Sequence, residues 1–385
     1  MKLGLIGIND LGLSFGLLCE KNGYEVLVSN NDEDYIFNLN QKICITNEPL
    51  IQSMLFDTTK FSATTSNIDV IKNSDIVFTF SPTPSNIEGN YDTTKVFDII
   101  SEFYSLSSQD FPLYNKKLVI CSTTNPGEVE QIQQRLNMFN IQVAYNPFFT
   151  NEGEIVKNIE NHEMVLIGGE YQELTNDLIQ LHTKLKKVLI NVYTMSSKAA
   201  EFTKIGINSF LSAKISYANM LGEIITKSGI EDEVSMVLTA IGGDSGIGVK
   251  HMNYGFGFGG PTINGDVKAL KHFAESVGAS SDLITSVDTF NKSHISFLKE
   301  HYIRKNPNKE IPFVMNHITY KKGSNIIEES QQFQLCVELL NEGYSVNVIE
   351  ISEVAIKLNS LSESYDGRLK FYKQGTNPDG VLINL

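Results

Sequence analysis

Lys2-Leu3-Gly4-Leu5-Ile6-Gly7-Ile8-Asn9-Asp10-Leu11-Gly12 is the stretch that decides the fold of this chain. A short apolar run, Lys2–Ile8, enters a turn bracketed by Gly7 and Gly12, and the apolar stretch Leu13–Cys19 beyond it reads as a helix. A strand, a glycine turn and a helix in that order open a βαβ unit. Such a turn lets the backbone approach a pyrophosphate, and the helix N-terminus behind it faces negative charge. Gly7 and Gly12 fit the first and last glycines of the dinucleotide-binding fingerprint G-x-G-x-x-G, with Asn9 in place of the middle one. Asparagine tolerates left-handed backbone better than most residues, though its side chain crowds a pyrophosphate. A residue at the end of the second strand is expected to hold a ribose diol, and Asn30 stands there with Asp32 two positions on. The turn and this strand end supply the candidate cofactor residues Gly7, Asn9, Asp10, Leu11, Gly12, Asn30 and Asp32.

Working outward, further strands are predicted at Glu25–Ser29, Asp75–Phe80, Lys117–Ser122, Gln142–Ala144, Met164–Gly168 and Val188–Val192, with helical stretches between them. That alternation predicts a mostly parallel sheet over residues 1–195. From Ser196 to about Lys227 the pattern changes: Phe202, Ile205, Phe210, Leu211, Ile215 and Met220 recur at helical spacing with no proline. A helix that long serves as a spine between domains or as a dimer surface. More helix is predicted at Asp232–Ala240 and Asp266–Val277, on either side of a glycine-rich stretch, 242–265, in which Phe256, Phe258 and Asn264 interleave. A second, smaller α/β unit starts near Pro312, with a strand at Phe313–Ile318, a helix at Glu328–Asn341 and a strand at Val346–Ile349.

Composition narrows the function classes. The chain has 385 residues, 41% of them hydrophobic, enough for two to three cores. Its net charge of −14 disfavours nucleic acid or an anionic membrane surface as partner. Four scattered cysteines form no CxxC pair, which excludes a disulfide scaffold or a cysteine-rich zinc module. No apolar stretch reaches the about 20 residues of a membrane span, and the histidines, His251 and His272 among them, show no metal-ligand spacing. A soluble, cytoplasmic protein is expected. Only Arg135, Arg304 and Arg368 are arginines, so any anion site relies on lysine, backbone N–H groups and helix N-termini.

The stretch Gly255-Phe-Gly-Phe-Gly-Gly260-Pro-Thr262-Ile-Asn-Gly265-Asp266 is more specific. It resembles the active-site signature of the UDP-glucose/GDP-mannose dehydrogenase family, GxGFGG followed by S-C-F-P-K-D. Other stretches resemble that family in the right order. Pro82-Thr83-Pro84 is similar to its VPTP, and Ser122-Thr123 with Gly127 to its STVPxGT. Asn146-Pro147 with Glu152-Gly153 resembles NPEFLREG. Glu201, Lys204, Asn208, Phe210-Leu211 and Lys214-Ile215-Ser216 track AELxKxxxNxFLxxKIS, and Tyr320-Lys321 with Ser330 resembles FKxxTDDxRxS.

The resemblance implies two Rossmann-like α/β domains joined by a long central helix. An NAD-binding domain would span 1–195, a central helical dimerisation region 196–300 and a nucleotide-sugar-binding domain 301–385. It implies oxidation of a nucleotide sugar at C6 with NAD, through an aldehyde captured by a cysteine thiolate. Carried over residue by residue, it makes Thr123, Glu152, Lys204, Asn208, Thr262 and Asp266 the candidate catalytic positions. Thr83 and Thr123 join the cofactor set. Phe149, Lys204, Asn208, Tyr254, Phe256, Gly257, Phe258, Gly259 and Lys321 are the candidate substrate contacts. Lys204 and Asn208 would hold a water and stabilise oxyanions, while Thr123 and Glu152 orient that water. The departures fall at the same sites. Thr262 stands in the cysteine position and Gly265 in the lysine position. Phe148 replaces a glutamate, and Asn151, Gly246 and Glu328 stand where arginines are usual. Three readings follow: a nucleotide-sugar dehydrogenase without the thioester step, a homologue that only binds nucleotide or nucleotide sugar, and a dehydrogenase for another hydroxyl substrate.

Overall fold

A computed structural model describes residues 1–86, 88–161, 163–186 and 191–384. The chain divides into two compact units, Met1–Ile205 and Gly206–Leu385.

In the first unit, strands β1 (Lys2–Ile6), β2 (Glu25–Ser29), β3 (Phe61–Thr64), β4 (Ile76–Thr79), β5 (Lys117–Ile120), β6 (Gln142–Tyr145), β7 (Met164–Gly168) and β8 (Asn191–Met195) form one sheet. Their order is β3-β2-β1-β4-β5-β6-β7-β8, parallel throughout except for the antiparallel step at Tyr145↔Gly168 between β6 and β7. Helices α1 (Asp10–Lys21), α2 (Glu33–Asn40), α3 (Ile51–Asp57), α4 (Asn67–Asn73), α5 (Thr94–Ser108), α6 (Glu128–Leu136), α7 (Ile155–Asn161) and α8 (Gln172–Leu185) connect them. Central strands of such a sheet are covered on both faces and read as apolar runs. Leu3, Leu5, Val26, Val28, Val77 and Phe78 are accordingly buried. Strand order reverses between β1 and β4, so the glycine turn after β1 opens at the crevice where doubly wound sheets bind ligands.

The strand expected at Val188–Val192 lies partly outside the described residues, and β8 occupies Asn191–Met195. Strand β3 escaped the pattern because its sequence, FSAT, is small and half-polar at a sheet edge.

Helix α9 (Ser197–Lys227) runs for 31 residues, as its periodicity predicts. Beyond it come α10 (Val234–Gly242), α11 (Pro261–Ser276) and α12 (Asp282–Lys305). The second sheet comprises β9 (Phe313–Met315), β10 (Val346–Ile349), β11 (Leu369–Tyr372) and β12 (Val381–Ile383), parallel in the order β11-β10-β9-β12. Helices α13 (Gln331–Asn341), α14 (Ser352–Lys357) and α15 (Asn359–Ser364) lie between those strands in sequence. Its core gathers Phe313, Leu335, Leu339, Tyr344 and Val346.

Several boundaries move from the sequence reading: the strands expected at Phe313–Ile318 and Lys117–Ser122 end at Met315 and Ile120, the one expected at Asp75–Phe80 spans Ile76–Thr79, and the helix expected at Asp232–Ala240 spans Val234–Gly242. Helix α11 starts at Pro261 rather than Asp266, because proline suits the first helical turn, so Thr262 and Gly265 are helical. Helix α13 starts at Gln331 because Ser330 caps it, accepting a hydrogen bond from the Phe333 amide at 3.2 Å, and Glu328 stays in the preceding loop.

Candidate active site

The turn after β1 is built around Gly7, whose φ of +68° suits glycine and whose Cβ would meet the Ser81 hydroxyl at 2.5 Å. Asn9 is extended (φ −126°, ψ −169°), not left-handed, because it is the N-cap of α1. Its Oδ1 accepts the Gly12 amide hydrogen at 3.0 Å. One of the first-turn N–H groups that a pyrophosphate would use is thus already taken. Asp10 follows in the first turn with Thr46 donating to its Oδ2 at 2.8 Å. Burial raises its carboxyl above the usual range; the Thr46 bond opposes this and Glu152 adds to it. Leu11 is half-buried at the same helix end.

The strand-end residues bond to nearby backbone. Asn30 donates from its amide to the Ile8 carbonyl at 2.8 Å and accepts from the Asp32 N–H at 2.9 Å, lacing β2 to the turn. The Asp32 carboxylate caps α2 by accepting from the Tyr35 amide at 2.9 Å. These contacts engage both side chains at the strand end to which the sequence reading assigned the diol.

Thr83 is half-buried in the loop after β4. Thr123, also half-buried, sits between two anchored neighbours. Ser122 donates to the Ser81 carbonyl at 2.7 Å, and the buried Thr124 donates to Glu201 at 2.7 Å. Glu152 is set by a residue that the motifs did not single out. The Glu48 carboxylate accepts from the Gly153 amide and, at 3.2 Å, from the Ile155 amide. Burial raises Glu48 above the usual carboxyl range, those two bonds oppose it, and Asp10 and Glu152 push it up further. Only a long-range contact brings Glu48 to this loop, so no local pattern could have marked it.

Phe148, in place of the family's glutamate, packs into an aromatic cluster, 5.1 Å from Phe15 and 5.9 Å from both Phe80 and His182. The next residue, Phe149, offers its ring to the Lys204 ammonium at 5.7 Å. Lys204 is buried on α9 at 4% exposure, and Asn208 follows one turn later.

In the second unit, Asn208 donates to Asp266 at 2.5 Å, and that aspartate is fully buried. Thr262 is exposed on the first turn of α11. Phe258 is a core residue packed with Val267, Ile284 and Val287 rather than an open contact. Tyr254 and Phe256 are half-buried against the second unit's core, while Gly257 and Gly259 stay partly open. Gly257 must be glycine, because a Cβ would lie 2.0 Å from Asn291 Oδ1. Lys321 is half-buried, and its carbonyl accepts the Thr319 hydroxyl at 2.9 Å.

A doubly wound parallel sheet with a glycine turn at its switch point defines a dinucleotide-binding α/β protein. This chain belongs to the UDP-glucose/GDP-mannose dehydrogenase family: its NAD-binding domain matches residues 1–186 and its central domain residues 198–293. A UDP-glucose 6-dehydrogenase of Rickettsia bellii is 26% identical over 359 residues, covering 91% of this chain and 81% of that one. Another, from Pseudomonas aeruginosa, is 27% identical over 308 residues, covering 78% of this chain and 67% of that one. The structure of a UDP-glucose dehydrogenase from Pyrobaculum islandicum superposes with a TM-score of 0.85 at 20% identity, covering 96% of this chain and 85% of that one. The glycine turn fits NAD in its place at the switch point and in its left-handed Gly7, although the Gly7 amide donates to the Ser29 carbonyl and Asn9 and Asp10 compete with a phosphate for the helix end. Among the described residues no helix is long and apolar enough to cross a membrane.

Proposed function

We propose that this chain oxidises the C6 hydroxymethyl carbon of a nucleotide sugar to the aldehyde, with NAD, and stops there. The observation that carries this reading is the buried Asp266 holding Asn208 at 2.5 Å while Thr262 occupies the nucleophile's place. NAD, when bound, supplies the hydride acceptor. Gly7 and Gly12 would let the turn pass close to its pyrophosphate and the Leu11 amide would face it, with Thr83 and Thr123 at neighbouring strand ends. The Lys204 ammonium and the Asn208 amide would steady the alkoxide as the hydroxyl gives up its proton. Thr123 and Glu152 would orient the water that takes that proton. Each alcohol loses one hydride and one proton, leaving the aldehyde.

The second oxidation needs covalent capture of that aldehyde. A threonine hydroxyl deprotonates far less readily than a thiol and does not supply it. The glycine loop and Lys321 would meet the nucleotide sugar in place of the missing arginines.

We also read the chain as a cytoplasmic homodimer. Its four cysteines are free and buried, consistent with a reducing compartment. Phe210, Tyr217 and Ile224 on α9 are exposed by 69%, 51% and 53%.

Asn9 and Asp10 at the helix end favour a second reading, a homologue that binds its ligand without turning it over. Incubation with NAD and UDP-glucose, UDP-N-acetylmannosamine or GDP-mannose, followed by NADH absorbance and product mass, separates the two. One NADH and an aldehyde per sugar supports the dehydrogenase. Two NADH and a uronate overturn the aldehyde endpoint. Nucleotide-sugar binding without NADH supports the second reading.

A further inference from the structure

We propose that His294 and Glu223 are a positioning pair for the glycine loop, fixing its conformation through the Gly255 carbonyl. The proposal rests on the reading of that loop as the nucleotide-sugar contact. Loop residues 255–259 are suspended from side chains rather than from a ladder. The Gly255 amide donates to Asn219 at 3.0 Å and the Gly257 amide donates to Gln331. The Asn291 amide donates to the Phe258 carbonyl at 2.9 Å. Gln331 in turn donates to the Asn291 carbonyl at 2.5 Å, tying α13 to α12 behind the loop.

The remaining tie is the ionisable one. His294 Nε2 lies 2.8 Å from the Gly255 carbonyl, and its Nδ1 lies 2.6 Å from the Glu223 carboxylate. A carbonyl only accepts, so Nε2 carries its proton toward Gly255. Glu223 Oε1 at the other nitrogen holds the ring so that this donor stays aimed at the loop. The His294 side chain is fully buried. Its ring lies near-parallel to those of Phe290 at 5.8 Å and Phe297 at 6.1 Å, with the Tyr254 ring edge-on at 6.0 Å. Glu223 on α9 and Tyr254 face the ring, while Lys227 lies over Phe297 at 5.3 Å. A ring bonded at both nitrogens and enclosed by aromatic side chains keeps one orientation, and its donor points to the loop.

The test uses the full-length protein with His294→Leu, His294→Gln and Glu223→Gln. Hydrogen exchange of the 253–260 peptide is read beside UDP-glucose kinetics and NAD titration. Glutamine keeps a donor near the Nε2 position, whereas leucine keeps none. His294→Leu is expected to speed loop exchange at least tenfold and raise KM for UDP-glucose about tenfold, with a smaller change in kcat and unchanged NAD affinity. His294→Gln is expected to retain most of the protection, and Glu223→Gln to fall between them. Unchanged loop exchange in both His294→Leu and Glu223→Gln overturns the proposal. So does equal loosening of all peptides, which marks a general packing role. If the wild type oxidises no nucleotide sugar, selective loosening of 253–260 still upholds the pair's hold on the loop, and only the dehydrogenase reading falls.

Discussion

Asn9, Asn30 and Thr262 show how far single residues can be read without neighbours. Their positions were legible, since a glycine spacing, a strand end and a signature motif each point to one residue. The side-chain roles of Asn9 and Asn30 were not, because the Gly12 amide and the Ile8 carbonyl that claim them are set by the folded turn. Asn30→Asp, which by fingerprint logic should improve the grip on a ribose, is therefore expected to do the opposite. It removes the amide hydrogen bonded to the Ile8 carbonyl and sets an acceptor against an acceptor, costing about 1–3 kcal/mol. A lower melting temperature with no tighter NAD titration is the expected outcome. Asn9→Gly releases the Gly12 amide for a phosphate while losing only a few tenths of a kcal/mol of capping, roughly, so NAD should bind several-fold more tightly. Thr262→Cys places a thiol on the exposed first turn of a helix, where the helix end favours the thiolate. Because the four native cysteines are buried, iodoacetamide should label this variant quickly and the wild type slowly. The aldehyde should remain the main product of Thr262→Cys, because Gly265 still lacks the family's lysine.

At the scale of elements, the strands β2, β7 and β10 and the helix α9 could be read nearly to the residue, because each is an unbroken run of one periodicity. The strands β3, β11 and β12 could not, since they are sheet edges whose half-buried residues break the apolar run. Helix-to-helix ties were equally invisible, and Glu201 is the clearest. From α9 it accepts from Thr124 at 2.7 Å and from the Gly127 and Val129 amides at 2.6 and 3.0 Å, at the start of α6. Burial pushes its carboxyl from 4.5 up to about 7, those three bonds oppose the shift, and Glu128 adds to it. A carboxyl raised on folding prefers its proton in the native state, so its contribution is complete below the unfolded value. It is lost as pH rises through the folded one. Denaturant-measured stability should accordingly fall between about pH 4.5 and 7 by as much as about 3 kcal/mol from this group. Glu201→Gln should flatten that part of the profile. An unchanged slope in the variant would assign the pH dependence to other groups.

For the whole molecule, the open question is what covers α9. Phe210, Tyr217 and Ile224 recur every seven residues, and a straight helix drifts only about 20° per heptad, so the three share one face. Apolar side chains scattered singly on a surface need no explanation, but a stripe along a 31-residue helix marks an interaction surface. A second copy of this chain is the simplest occupant, because a two-fold dimer brings the same stripe to itself. A stable interface of that kind buries about 1,200–2,000 Å² in total, more than three side chains supply, so neighbouring surface must take part. Electrostatics sets a limit on the geometry. With a net charge of −14, each protomer repels its copy at long range, so the contact has to be apolar at its centre and should tighten with salt. Phe210→Glu places a carboxylate at the N-terminal end of that stripe, at its most exposed residue, with little loss of the protomer's own packing. Sedimentation at micromolar concentration should therefore show a dimer for the wild type and a monomer for Phe210→Glu, with the monomer's melting temperature lowered only by the loss of the partner. Raising salt from 50 to 500 mM, roughly from a 14 Å to a 4 Å screening length, should shift the wild type further toward dimer and leave the variant monomeric. A wild type that sediments as a monomer at both salts would leave the stripe to a different partner.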